Sequence, residues 1–486
     1  MGFGVCQKSF GGWVNLRLFL PELVLCGAIV LHLCLALTKN AVPVRTLTRI
    51  AALGAAAALG AALFSFETSG SLFNGTYRVD LLAQCFKALA LLGLLFSVFL
   101  TGGAAAIPSQ RLPEYFIFLF TAALGMVLIP SSSDLLTLYV SMELSSYSLY
   151  LLTAMRPDRR NAEAGVKYLL FGAAASGVFL WGVSLVLGIT GSVSLAVIAE
   201  KAGTLSTEPV FFVGVVFILF AFLFKLSAFP MHFWAPDVYE SAATPVTNFI
   251  ATASKAAAVA LLVRVLLVTG VSQGLAVLLG LFAFLSMTLG NTVALVQKDV
   301  KRLLAYSSVA QAGYLLLGLL AGSPEGYASS LYYAVAYLLM NTGVFLVIHV
   351  VGKETGRDNP QFSDFNGLAE RAPKLALLLL LSLLSLAGIP PLAGFTGKWI
   401  LFSASMEKGH WFLVLWAVLN SVVSLFYYLS LVKHAYLEKP AVGGTIRMTA
   451  GLKTLLFVLL IAVVGLGLFP NPAISLAQRA LAAAAF

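Results

Sequence analysis

Apolar residues run through this chain in stretches of about twenty, separated by short polar turns, with no sustained alternation that would mark strands. A bilayer core about 30 Å thick is crossed by about 20 helical residues. Runs of that length fall at 16–37, 47–66, 79–100, 113–130, 134–155, 163–189, 209–240, 244–269, 273–297, 302–322, 327–352, 373–406, 410–435 and 450–470. The pattern predicts an all-α membrane protein of about fourteen transmembrane helices with no soluble domain. The first run is long enough to span and no small-residue cleavage site follows it, so no removable leader is expected.

Two runs are too long and are interrupted. The seventh contains Phe229-Pro230 and continues through Trp234 and Pro236; the twelfth contains Gly388-Ile389-Pro390-Pro391. Proline removes a backbone donor and frees carbonyls that lipid cannot satisfy, so such breaks persist only where protein or water covers them. Two broken helices five apart in order predict an inverted repeat, helices four to eight (113–269) against nine to thirteen (270–437). Helices one to three (1–112) and helix fourteen (438–486) flank it.

Composition agrees with the pattern. The chain is 60% hydrophobic and only 10% charged, against about 25% charged in a soluble domain. The net charge of +10 does not mark a nucleic-acid partner, because the basic residues cluster in alternate loops. Lys39, Arg45, Arg49, Arg111, Arg156, Arg159, Arg160, Lys298, Lys301, Arg302, Lys353 and Arg357 are examples on one side, and Arg78, Lys201 and Lys408 fall on the other. That asymmetry predicts a cytoplasmic face for the first set and both termini on the opposite side. Cys6, Cys26, Cys34 and Cys85 have no metal-binding spacing and read as inert buried thiols. Haem b, iron–sulfur, dinucleotide and Walker-type nucleotide sites find no ligand pattern.

The chemistry is carried by charges that lie far from any loop. Glu143, Lys225, Lys255 and Lys398 fall deep in apolar runs, and Lys167 about one turn into its own. Each costs about 2.5–3.5 kcal/mol at bilayer depth, so they must face one another or a wet interior. Such groups can pass a proton, whereas a potassium-type carbonyl filter has no counterpart here. Lys167 could equally snorkel to the surface, and His232, just past Pro230, could equally cap a half-helix. Asp237 and Glu240 read as interfacial, and Lys87 with Asp80 as an anchoring pair.

Three segments carry a family resemblance: QKDVKRLLAYSSVAQAGY over 297–314, KLSAFPMHFWAPDVYE over 225–240 with TPV at 244–246, and GIPPLAGFTGK over 388–398. The first two resemble the antiporter-like subunits of respiratory complex I and of multisubunit cation/proton antiporters; the third resembles the subunit N branch of the NADH-quinone oxidoreductases. The resemblance spans essentially the whole chain. It implies fourteen helices with two inverted five-helix repeats and discontinuous helices seven and twelve. It implies a Glu143–Lys225 pair, a central Lys255, an exit-side Lys398, a Lys167 coupled to a neighbouring subunit, and His232 on the axis. The implied function is proton translocation in the membrane arm of NADH:quinone oxidoreductase. The implied partners are a neighbouring antiporter-like subunit, small membrane subunits and the bilayer of a bacterial inner membrane. Quinone, NADH, FMN and iron–sulfur clusters are then expected in the complex and no cofactor in this chain. A cation/proton antiporter subunit, or a structural scaffold holding quinone or lipid, are the competing readings.

Overall fold

The computed structural model describes residues 16–38, 42–102, 107–440 and 444–484; Cys6 and Lys39 lie outside them. The chain is predominantly helical. In order the helices are α1 (Leu20–Ala36), α2 (Val44–Phe64), α3 (Leu81–Thr101), α4 (Leu112–Leu128), α5 (Leu135–Thr153), α6 (Arg159–Thr190) and α7 (Leu195–Leu205). There follow α8 (Pro209–Leu226), α9 (Ala235–Ser241), α10 (Thr244–Thr269), α11 (Gln273–Ala294), α12 (Val300–Leu320) and α13 (Pro324–Thr355). The last are α14 (Pro373–Ala387), α15 (Ala393–Glu407), α16 (Trp411–Tyr436), α17 (Ala450–Leu468) and α18 (Asn471–Ala482). Among the described residues, eleven helices are long and apolar enough to cross a membrane, and α1 and α14 are shorter apolar helices.

The helices sort by how much of their surface meets other helices. The apolar windows of α10, α12 and α13 are 94% buried, against 33% for α2, α6 and α16 and 28% for α17. The first group forms the interior and the second the outer wall. Close approach depends on small residues, as expected where lipid offers no hydrophobic drive to association. Gly125 of α4 lies against α5, where an added Cβ would stand 2.5 Å from the Ser145 amide. Gly290 of α11 has the same relation to α12, with the Ala310 amide at 2.5 Å.

Both long runs break where proline predicts. Helix α8 ends at Leu226, and Ser227 turns left-handed (φ 57°). Helix α14 ends at Ala387, and Gly388 does the same (φ 92°). In each case the second residue past the helix donates back to a carbonyl five residues earlier, Ala228 to Leu223 at 2.9 Å and Ile389 to Leu384 at 3.0 Å. This is the Schellman arrangement, which closes part of the exposed helix end. A π-helical turn, Ile250–Ser254, immediately precedes Lys255 in α10.

Three features lie outside the pattern of long runs. A hairpin of β1 (Gly70–Leu72) and β2 (Tyr77–Val79) precedes α3. Helix α7 bridges α6 and α8, and α18 follows α17 as an amphipathic helix burying Ala477, Ala480 and Leu481. All are too short or too polar to register as spans. The cysteines also differ from expectation: Cys85 is buried, Cys26 half-buried, and Cys34 exposed on the outer face of α1. An apolar helix in lipid buries only one side, so an apolar run does not specify which thiols are covered.

Candidate functional site: a file of buried amines across two helix breaks

Lys225 occupies the last turn of α8 and is 4% exposed. Its Nζ donates to Ser145 Oγ at 2.6 Å and Ser146 Oγ at 3.1 Å, both on α5. The close α4–α5 packing at Gly125 therefore sets where these acceptors sit. Lys255 follows the π turn of α10 and donates to Leu226 O at 2.9 Å, Ser227 Oγ at 2.7 Å and Ser308 O at 2.9 Å. It thus caps the broken end of α8. Lys398 of α15 donates to Leu386 O at 3.0 Å, Ala387 O at 3.1 Å and Ser421 Oγ at 2.8 Å, capping the broken end of α14. Its Nζ stands 4.4 Å from the centre of the Tyr314 ring.

These contacts answer the energetic objection to buried amines. Three such lysines would cost about 8–10 kcal/mol if dry and unpaired. Hydrogen bonds to a charged group are worth about 1.5–3 kcal/mol each. Two or three bonds per ammonium therefore offset the penalty, and the negative end of each half-helix adds to it. The geometry also serves the neutral form. Lys255 and Lys398 each have two carbonyls and one serine hydroxyl as partners. A neutral amine has two donors and one acceptor, so the carbonyls keep their bonds from the amine while the hydroxyl turns from its own carbonyl acceptor, Leu226 O or Ala387 O, to donate to the amine.

Hydroxyl and amide groups extend between Lys255 and Lys398. Ser308 Oγ lies 3.1 Å from Tyr239 OH. Its neighbour Ser307 meets Tyr428 OH at 2.5 Å, and Tyr428 accepts from Gln311 Nε2 at 3.3 Å. Gln311 Nε2 also reaches Leu386 O at 3.1 Å, the carbonyl that Lys398 bonds. A cavity of about 740 Å³ borders Lys398, lined by Gly388, Trp399, Phe402, Ser421 and Leu425 among others.

The remaining expected residues stand apart from this file. Glu143 is buried but is held by Ser176 Oγ of α6. No ion pair joins it to Lys225, which is bonded to serines instead, although the Glu143 charge acts on that amine. Lys167 lies at the loop-side end of α6, its side chain 42% exposed, paired with Glu163 at 2.9 Å and Asp237 at 2.8 Å. His232 sits in the break between α8 and α9 against Phe229 and Phe233, with Nδ1 unpartnered and no bond to either lysine. Lys87 does not pair with Asp80. It meets Glu22 of α1 at 2.9 Å and Tyr77 OH at 2.6 Å, all buried. Asp80 caps α3 through the Ala83 amide and binds Arg264 of α10 at 2.5 Å.

Sequence reasoning missed a charged clamp on the loop side. Asp358 accepts from Lys301 at 2.8 Å and Arg156 at 3.2 Å, and from the amide and hydroxyl of Thr244. Burial pushes its carboxyl up, but the opposing pull of Lys301 and Arg156 is stronger and holds it below its ordinary value. Arg302 bridges Asp237 and Glu240, each at 2.9 Å. These residues read as solvated loop charges because their partners are 57 to 202 positions away.

Buried lysines capping two interrupted helices, with hydroxyls between them, define an antiporter-like membrane fold. Residues 132–424 match the family described as NADH:quinone oxidoreductase/Mrp antiporter, transmembrane. The chain is 43% identical to NADH-quinone oxidoreductase subunit N 2 of Syntrophobacter fumaroxidans, over 96% of this chain and 99% of that one. It superposes on a chain of respiratory complex I from Thermus thermophilus with bound Aureothin at TM-score 0.82 and 34% identity, covering 94% of this chain and 99% of that one. A chain of the Mrp complex from Dietzia sp. DQ12-45-1b shares the fold at TM-score 0.86 and 20% identity, covering 98% of each. The chain belongs to the NADH:quinone oxidoreductase/Mrp antiporter family.

Proposed function

We propose that this chain is the subunit N of an NADH:quinone oxidoreductase and carries protons through its membrane arm. The observation that supports the reading most directly is the file of Lys225, Lys255 and Lys398, with two of the three amines held by partners that suit both protonation states. Of fourteen crossings, ten form two inverted five-helix repeats, 113–269 and 270–437, with one broken helix and one capping lysine in each. Segments 1–112 and 438–486 flank them. The 353–372 loop faces the cytoplasm, and the chain sits in a bacterial inner membrane beside a second antiporter-like subunit and small membrane subunits.

The energy comes from redox chemistry elsewhere in the complex. Among the described residues no three His, Cys, Asp or Glu side chains gather where they could hold a metal ion. NADH, FMN, the clusters and the quinone-reducing site belong to other subunits. Glu143 and Lys167 receive the resulting conformational signal: Glu143 leaves Ser176 to approach Lys225, or withdraws from it. That changes how well Lys225 holds its proton, which passes to Lys255 and, through the Ser307–Tyr428–Gln311 group, to Lys398. His232 lies between the half-helices and adjusts with them. Moving one charge against 100 mV requires about 2.3 kcal/mol, which a shift of about two pKa units supplies at 1.36 kcal/mol each.

Glu143→Gln and Lys225→Ala, each in the complete complex reconstituted into vesicles, test the reading. Both are expected to lower protons pumped per electron pair while the complex remains assembled. Wild-type pumping by both removes the mechanism. A sodium-driven antiporter would instead pump without NADH oxidation and respond to a sodium gradient.

A further inference from the structure

In the relay above Lys225 passes its proton to Lys255, and what that leaves open is how the two amines are recharged from the loop side. Helix α13 crosses the interior beside Lys255, and four of its buried side chains have a polar atom with no partner at full hydrogen-bond distance: Tyr337 OH, which Ser308 and Asn341 only approach, Asn341 Nδ2, Thr342 Oγ1 and His349 Nε2. All four residues are at most 4% exposed. Buried polar groups without partners are rare in native structures and lose about 1–3 kcal/mol each unless water satisfies them. Four on one helix is therefore a feature to be accounted for, and its position supplies the account.

The inner end of the stripe is at the amine. Lys255 Nζ stands 5.9 Å from the centre of the Tyr337 ring, and the side chains of Ser308 and Asn341 lie beside the Tyr337 hydroxyl. Ser308 is also the residue whose carbonyl Lys255 bonds. The outer end is toward the clamp: the charges of Asp358, Lys353 and Lys301 lie within electrostatic reach of the His349 ring. At 1.5 Å per residue, His349 lies about 12 Å along the helix from Asn341, and Asn341 about 6 Å from Tyr337. Thr342 and His349, seven apart, share a face. On the four-residue row 337, 341, 345 and 349 the apolar member is Phe345, which is fully buried with its ring 6.5 Å from that of Tyr239.

We propose that protons reach Lys255 from the 353–372 loop side along α13, from His349 beside the Asp358 clamp, past Phe345, through Asn341 and Tyr337. The unpartnered atoms are the points at which water joins the path, and Phe345 is the dry step that separates the loop side from the amine. Tyr337 and Asn341 are positioning residues: they orient water toward Lys255 and do not hold the transported charge. This inference rests on the proton-carrying function proposed above.

Tyr337→Phe and Asn341→Leu in the complete complex keep shape and approximate volume while removing the polar atoms, and Asn341→Gln restores the amide. Assembled complexes in vesicles are expected to oxidise NADH with at least a five-fold lower proton yield for Tyr337→Phe and Asn341→Leu, with more than half restored by Asn341→Gln. Lys255→Met separates the two levels of the argument. If Lys255→Met abolishes pumping while Tyr337→Phe and Asn341→Leu pump at the wild-type ratio, the route is wrong and the amine file stands. If Lys255→Met also pumps normally, the proton-carrying reading itself fails. Loss of pumping in Asn341→Leu without recovery in Asn341→Gln would mark a packing role and overturn the route.

Discussion

The two helix breaks solve one problem with matching parts and different surroundings. At each, a helix ends in a Schellman turn on a left-handed residue, Ser227 or Gly388. A lysine then takes the freed carbonyl, and a serine bonds both the lysine and that carbonyl: Ser227 to Leu226 O at 2.6 Å and Ser421 to Ala387 O at 2.7 Å. The first break is enclosed, with a second lysine in its own helix and Glu143 nearby on α5. The second has one lysine, no carboxylate paired with it, and a cavity at its side. The shared part explains how an amine survives at depth. Under the proposed function the unshared parts would divide the work, with the first break driven by a charge and the second receiving and releasing the proton.

The largest expected effects separate those roles. Lys255→Met and Lys398→Met should each abolish proton pumping without unfolding the chain, because the carbonyls keep other partners. Leu226 O retains Ser227, Leu386 O retains Gln311, and Ala387 O retains Ser421. Pumping measured in vesicles alongside thermal stability distinguishes a missing carrier from a damaged fold. If only one variant lost pumping, the two breaks would not lie on one path.

Next in size is the clamp that joins the halves. Asp358 ties the loop after α13 to α10 through Thr244, to α12 through Lys301 and to the end of α5 through Arg156. Removing one member of a buried, hydrogen-bonded charge set costs about 3–5 kcal/mol, so Asp358→Asn should lower the thermal midpoint of the solubilised protein at neutral pH. The sign of the pH dependence follows from a folded-state pKa below the unfolded one. The stabilisation is complete above the unfolded value of about 3.9 and is lost as pH falls through the lower folded value. The wild type should therefore show an acid-dependent loss that Asp358→Asn lacks. Parallel acid limbs would mean the clamp does not hold the halves together.

What the sequence made legible follows the same physics. Lys225, Lys255 and Lys398 stand out because an amine in an apolar run has few tolerable explanations, and the breaks stand out because proline cannot continue a helix. Their partners do not stand out. Serine and threonine in these helices mostly bond their own backbone, as Ser148 does to Leu144 O, so nothing local distinguishes Ser145 or Ser421. Pairings across the fold were the least readable. Asp80 is the nearer acid to Lys87 in sequence, but its carboxylate is taken by the α3 cap and Arg264, and Glu22, 65 positions away, supplies the charge. Likewise Glu143 is on the expected helix but faces Ser176. Asn341 and Tyr337 are ordinary residues for an interior helix until their unpartnered atoms are seen, with the Tyr337 ring 5.9 Å from the Lys255 amine.

The smallest effect tests how far the likeness of the breaks extends. Gly388 has φ 92°, a conformation that costs an L-residue about 1–2 kcal/mol. A Cβ there would stand 3.1 Å from Lys398 Cδ and 3.5 Å from Ser421 Oγ, so Gly388→Ala both strains the turn and crowds the amine. Ser227 already carries a side chain at φ 57°, and Ser227→Gly relieves backbone strain while removing the hydroxyl that lets Lys255 exist in both forms. Gly388→Ala should lower stability and pumping together. Ser227→Gly should leave stability nearly unchanged, since relief of strain offsets about 1 kcal/mol of lost hydrogen bonding, and should slow pumping alone. Equal responses in stability would mean the left-handed residues serve only to turn the chain, and the serine beside each lysine would lose its role in proton exchange.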